Sequence, residues 1–292
     1  MPIILAITFM LTAAAPLDSA NPRQTIQNLS DSLHSEIGVA FYDLETGASF
    51  NFNERLMLHA ASTMKAPVMI EVFRQAESGK FKLEDSLLVK NNFKSIVDGS
   101  AYSMDIGEDS DDSIYKMISR RMTIRQLIEQ MITVSSNLAT NMLIELVDAK
   151  KVMATLRSLG IKNMQVLRGV EDGKAFERGL NNRTDAFDLL LTMRAIVEKK
   201  AASAASCDEM LEVLKRQKFR EKIPEGLPEG IIVANKTGHI TNIDHDAAIV
   251  FPLNRKPYVL VVLTHKINDP QLAAQVIARI SKSIWRHFIE KR

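Results

Sequence analysis

At 292 residues, of which 46% are hydrophobic and 25% charged, the chain can bury a substantial core, which excludes a disordered protein. Thirty-seven basic side chains against thirty-five acidic ones leave a formal net charge of +2, and no dense Lys/Arg block is present to track a phosphate backbone, so nucleic acid is not an expected partner. Cys207 is the only cysteine, so stability comes from packing without an intramolecular disulfide. It lies beside the Ala/Ser-rich stretch 201–206 with no nearby His, and reads as a packed thiol rather than a nucleophile.

The first fifteen residues, MPIILAITFMLTAAA, form one apolar run, too short to span a bilayer and ending in small residues, as a signal peptide does. Residues 1–20 are therefore expected to be a signal peptide, with the mature chain exported to the periplasm or secreted and not stably inserted in a membrane. Against this, no Lys or Arg precedes the run, Pro16 follows the clearest A-x-A site, and cleavage after Ala20 places Asp18 where a small residue is preferred. A buried N-terminal helix or a wrongly assigned start is the alternative.

From Ile37 to Phe52 apolar and polar residues alternate on both sides of Glu45-Thr46-Gly47, which predicts a β-hairpin. From Ser62 to about Lys200 apolar residues recur at three and four, as in Ile124, Leu127, Ile128 and Met131, which predicts a mostly helical stretch. Within it the acidic run 107–112, GEDSDD, lacks the spacing of a calcium loop and reads as a solvated loop. Strands are predicted over 231–237, 247–251 and 258–264. They are followed by a helix with Asp269 as N-cap, Pro270 in the first position, and an apolar stripe from Ala273 to Trp285. The fold class is α+β: an antiparallel sheet built from both ends of the chain and flanked by helices, with an inserted all-α lobe. Residues 21–292 are expected to form one domain, its α/β part at about 21–61 and 205–292 and its α lobe at about 62–204. No coiled-coil or repeat is evident, and a monomer is expected.

Ser62 and Lys65 stand three apart at the start of an apolar helical stretch, which puts both on one face. A serine hydroxyl needs a neighbour to take its proton, and a Lys can do so only when burial or nearby cations lower its pKa. About one such pair is expected by chance in a chain of this length. Ser135-Ser136-Asn137 can relay a proton and hold an amide, or can simply cap a helix. Lys236-Thr237-Gly238 closes a strand, where an ammonium and a hydroxyl can receive a carboxylate.

Ser-x-x-Lys, Ser-x-Asn and Lys-Thr-Gly, in this order and in helix, loop and strand settings, resemble the serine β-lactamase and penicillin-binding protein superfamily, closest to class A β-lactamases. The resemblance runs from about Gln24 to Phe288 and includes MITVSSNLATNMLIEL, IPEGLP before VANKTG, and DAAIVFP after it. It implies a serine hydrolase that opens β-lactam amides without a cofactor. Ser62 is then acylated, Lys65 shares in proton transfer, and Ser135 protonates the leaving nitrogen. Asn137 binds the acyl side-chain amide, Lys236 and Thr237 anchor the substrate carboxylate, and the backbone N–H groups of Ser62 and His239 form the oxyanion hole.

Two positions depart from the family pattern. Ser136 replaces an Asp that braces the second motif. The deacylating Glu has two candidates: Glu171, thirty-four residues after Asn137 but with Ala175 where an Asn partner is expected, and Glu177, which has that local partner in Asn181 but lies about six residues late; of the two, Glu171 is the expected base. Neither need serve; each can be a solvated loop carboxylate. Residues 91–119 are longer and more acidic than the usual connection and are expected to border the cleft. His239, Asp244, His245 and Asp246 lack metal-ligand spacing, so no metal is expected. The competing readings are a penicillin-binding or peptidoglycan-directed hydrolase with slow deacylation, and a non-catalytic binding module on the same scaffold.

Overall fold

The computed structural model describes residues 21–290; the expected signal segment 1–20 lies outside them. Helix α1 (Pro22–Leu33) leads into the hairpin of β1 (Glu36–Asp43) and β2 (Ser49–Phe52). Its turn is closed where Gly47 N–H donates to the Asp43 carbonyl at 2.8 Å and the Thr46 hydroxyl donates to the Asp43 carboxylate at 2.6 Å. Helices α2 (Lys65–Glu77), α3 (Ile124–Thr133), α4 (Asn137–Val147), α5 (Ala149–Ser158), α6 (Gly173–Glu177), α7 (Ala186–Val197) and α8 (Ala204–Lys215) follow. Strands β3 (Ile232–Ile240), β4 (Ile243–Phe251) and β5 (Tyr258–His265) then precede α9 (Pro270–Ile284). The α9 start is the one its sequence predicts, with the Asp269 carboxylate accepting from Gln271 and Leu272 N–H.

The sheet order is β2-β1-β5-β4-β3, and every neighbour is antiparallel. Pairing β1 with β5 sets Glu36 opposite His265 and Asp43 opposite Tyr258, so the two ends of the chain share one sheet, as the α+β reading expects. Alternation sorts the side chains between two cores. Val259, Val261 and Leu263 face the helical side with Met69, Ile128 and Leu189, while Tyr258, Leu260 and Val262 face α1 and α9 with Ile26, Leu29, Ile277 and Ile280. A strand buried on both faces needs no polar positions, which is why β5 reads as the unbroken run YVLVVL. Each fully buried aliphatic side chain of this kind contributes about 1.5–3 kcal/mol.

Three expectations change. Residues 78–123 are not helical: short antiparallel pairs (Ser86–Leu88 with Arg121–Thr123, Phe93–Lys94 with Ala101–Tyr102) and a 3-10 turn, Ser113–Met117, occupy them. Glycines and charges interrupt the apolar repeat there, and Met104 reaches the core from irregular backbone and Ile114 from the 3-10 turn. Strands β3 and β4 run farther than predicted and meet at Thr241-Asn242, because polar Asp244, His245 and Asp246 are buried and internally bonded. The run 107–112 is not simply solvated, since Asp109 is half-buried and bonded to α4.

Candidate active site

Ser62 lies in a 3-10 turn, Ala61–Met64, whose first N–H groups have no acceptor within the turn, and Lys65 opens α2 directly after it. Ala61 is left-handed at φ +45°, a conformation that costs a non-glycine residue about 1–2 kcal/mol and persists only where the surroundings hold it. The surroundings are explicit. Ala61 N–H donates to His59 Nδ1 at 3.0 Å, the Thr63 hydroxyl donates to the Ala60 carbonyl at 2.5 Å, and His245 Nε2 sits 2.9 Å from the His59 carbonyl. Strand β3 lies against this turn. A Cβ on Gly238 would fall 3.1 Å from Ala61 Cβ and 3.3 Å from the Ala60 carbonyl, so glycine lets the backbone at 238–239 approach Ser62.

Lys65 is fully buried, and its Nζ donates to the Ser135 carbonyl at 2.5 Å, to Asn137 Oδ1 at 2.8 Å and to Ser135 Oγ at 3.3 Å. Lys236, equally buried, donates to the same Ser135 Oγ at 3.0 Å and to the Thr237 carbonyl at 2.9 Å. Two ammonium groups thus converge on one hydroxyl, held by a left-handed residue at φ +59°. Burial pushes Lys65 down to about 7, against the opposing pull of the Asp109 and Glu171 carboxylates. Burial, then the Lys65 and Lys222 charges, hold Lys236 well below the ordinary lysine range. A lysine near 7 is partly free base at neutral pH and can accept a proton.

Glu171 reaches this cluster and Glu177 does not. Asn137 Nδ2 donates to Glu171 Oε1 at 2.8 Å, and Asp105 N–H donates to Oε2 at 3.0 Å. Asn137 therefore spans from Lys65 to Glu171. Burial raises the Glu171 pKa, with the two hydrogen bonds opposing. Glu177 is exposed at the end of α6, and its expected partner Asn181 instead accepts from Arg168 Nη2 at 3.0 Å, tying the neck of the loop. The place of the missing Asn at 175 is filled in effect by Asn137 and the Asp105 amide, while Ala175 packs into the interior.

Three sets of residues here escaped the sequence reading. Asn141, one turn beyond Asn137 on the same face of α4, accepts from Val170 N–H at 2.6 Å and donates to the Val170 carbonyl at 3.0 Å, clamping the residue before Glu171. The i, i+4 spacing of two asparagines in an apolar helix is the trace it left in the sequence. Asp109 contacts Asn137 and Leu138 N–H at 2.8 and 3.0 Å. Lys222 and Asp244 form a pair at 2.8 Å behind β3, with side chains 5% and 3% exposed, and His239 Nδ1 meets the same Asp244 oxygen at 3.1 Å. Thr237 lies on β3 opposite Asp246, whose carboxylate is taken by Asn235 and Ile223 N–H. Among the described residues, no group of three or more His, Cys, Asp or Glu is placed to hold a metal ion.

This geometry can be set beside known proteins. A family model described as "Beta-lactamase enzyme family" matches residues 21–288. The β-lactamase ROB-1 of Haemophilus influenzae is 31% identical over 265 residues, 88% of this chain and 82% of that protein. A β-lactamase of Citrobacter koseri is 22% identical over 97% of this chain and 95% of its own length. Among solved structures, the β-lactamase of Sphaerobacter thermophilus superposes with a TM-score of 0.76 at 24% identity, covering 89% of this chain and 95% of that one. A PBP-A variant solved as an acyl-enzyme complex with penicillin G gives 0.76 at 26%, covering 93% and 97%. With the family matched over nearly all of the described residues and the fold shared with solved members, the chain belongs to the β-lactamase enzyme family.

Proposed function

We propose that the protein is a serine hydrolase that opens β-lactam amides through an acyl-Ser62 intermediate, in the manner of class A β-lactamases. The observation that carries this reading is the single hydrogen-bonded cluster of Lys65, Ser135, Lys236, Asn137 and Glu171 beside the Ser62 turn. Lys65, near 7, takes the Ser62 proton, directly or through Ser135, as Oγ attacks the lactam carbonyl. The N–H groups of Ser62 and His239 receive the developing oxyanion. Ser135, between two lysines, delivers a proton to the departing nitrogen, while Lys236 and Thr237 hold the substrate carboxylate. Asn137 orients the acyl side chain. Glu171 then activates water against the ester, which completes hydrolysis.

A second reading, a penicillin-binding hydrolase that deacylates slowly, draws on the likeness to PBP-A solved with penicillin G attached. The two diverge only at release. Intact mass measured after mixing with a penicillin separates them: rapid product with no lasting adduct supports the lactamase, a persistent adduct on Ser62 supports the slow acylated enzyme, and neither overturns both. The apolar N-terminal run supports an exported enzyme in the periplasm or medium, which cell fractionation tests.

A further inference from the structure

Helix α4 carries Asn137 and Asn141, and its first turn exposes N–H donors that a helix cannot satisfy internally. Each of the first four has an acceptor. Ser136 N–H bonds to the Gln130 carbonyl at 3.0 Å, Ala139 N–H to Ser136 Oγ at 3.3 Å, and Asn137 and Leu138 N–H to the two oxygens of Asp109 at 2.8 and 3.0 Å. The Ser136 hydroxyl and the Tyr115 hydroxyl both donate to Asp109 Oδ2, at 3.3 and 3.1 Å, fixing the carboxylate on the helix axis where the dipole favours negative charge. The segment it braces is strained, with Ser135 left-handed at φ +59° immediately before Ser136. That segment supplies both partners of Lys65.

We propose that Asp109 is a positioning residue of the acyl-transfer site: the acidic loop delivers, from 27 residues upstream, the carboxylate that the second motif lacks at Ser136, and so holds Ser135 and Asn137 against Lys65. The same loop supports Glu171 through the Asp105 amide, so acylation and release share one support. The proposal rests on the reading of Ser62 as the acylated residue.

A double-mutant cycle tests it. The second-order rate of Ser62 acylation by a chromogenic cephalosporin falls about 10- to 100-fold in Asp109→Ala, the scale of a small misplacement of reacting groups. Ser136→Asp alone is also damaging, because residue 136 already touches Asp109 and two carboxylates would meet. Combined, Asp109→Ala/Ser136→Asp recovers most of the rate, so the second substitution changes sign with its background. Asp109→Asn is nearly isosteric but offers one acceptor oxygen in place of two, and it removes a negative charge facing Lys65. The other charged groups facing it, Glu171 and Lys236, remain, and the acid limb of acylation moves to lower pH. Wild-type acylation in Asp109→Ala, no recovery in the double variant, or an unmoved acid limb in Asp109→Asn each overturns the proposal. Should the wild-type chain neither turn over the cephalosporin nor form an adduct on Ser62, the functional reading fails by itself. Amide exchange of the peptide bearing Asn137 and Leu138 then decides: faster exchange in Asp109→Ala that reverts in the double variant supports the bracing, and unchanged exchange overturns it.

Discussion

A lysine buried with no carboxylate in direct contact is held near neutrality by desolvation, and that single number sets the expected pH response of Lys65. Its pKa in the fold is depressed to about 7, so the free base is scarce below that value and dominant above it. Acylation of Ser62 is expected to fall about tenfold per pH unit on the acid side and to level off above about 8, as stopped-flow rates across pH would show. Lys65→Arg should abolish acylation at every accessible pH, because guanidinium stays protonated. In the proposed mechanism Glu171 governs the other step. Glu171→Ala leaves Ser62 reactive but removes the group placed to activate water, so the expected outcome in intact-mass time courses is a stable adduct. Unchanged turnover would remove Glu171 from the mechanism.

Between elements, the decisive contact is the clamp of α4 on the loop that carries Glu171. Asn141 satisfies both the N–H and the carbonyl of Val170, and Gly169 lies so close to the Asn141 side chain that no Cβ fits there. Asn141→Leu would strand the Val170 N–H, at roughly 1–3 kcal/mol for a buried group without a partner, and leave the Val170 carbonyl to the Tyr102 hydroxyl alone. The loop should loosen, so deacylation falls while acylation holds, and the adduct lifetime measures it. Behind β3, Asp244→Ala leaves the Lys222 ammonium buried without its counter-charge. Denaturant titration should show a loss of about 3–5 kcal/mol, with the Lys222→Met/Asp244→Leu pair less affected than Asp244→Ala alone.

Across the whole molecule, one sheet separates two cores, and helices α2 and α4, which carry Lys65 and Asn137, pack on one side of it. Ile277→Ala on α9, in the other core, should cost about 2–5 kcal/mol by leaving a cavity. The acylation rate of the protein that remains folded should not change, since Ile277 packs in the core opposite the one that holds α2 and α4. Global stability and chemistry are thereby separable, and measuring both on one variant checks the partition.

The sequence by itself determined the parts whose information is local. The hairpin at 37–52, the Asp269-Pro270 helix start, the apolar run of β5 and the order of the three motifs follow from period, capping and spacing within a few residues. It also favoured Glu171 over Glu177 on sequence interval, although the local partner pointed to Glu177. The contacts themselves are tertiary: the fold brings Asn137 and the Asp105 amide to Glu171 and sends Asn181 to Arg168. It likewise turned an acidic run into a helix brace and made buried, paired groups of Asp244, His245 and Asp246. The physical reason is the same in each case: a charge is stabilised by whatever neighbour the fold delivers, and that neighbour can lie tens of residues away, where local pattern carries no record of it.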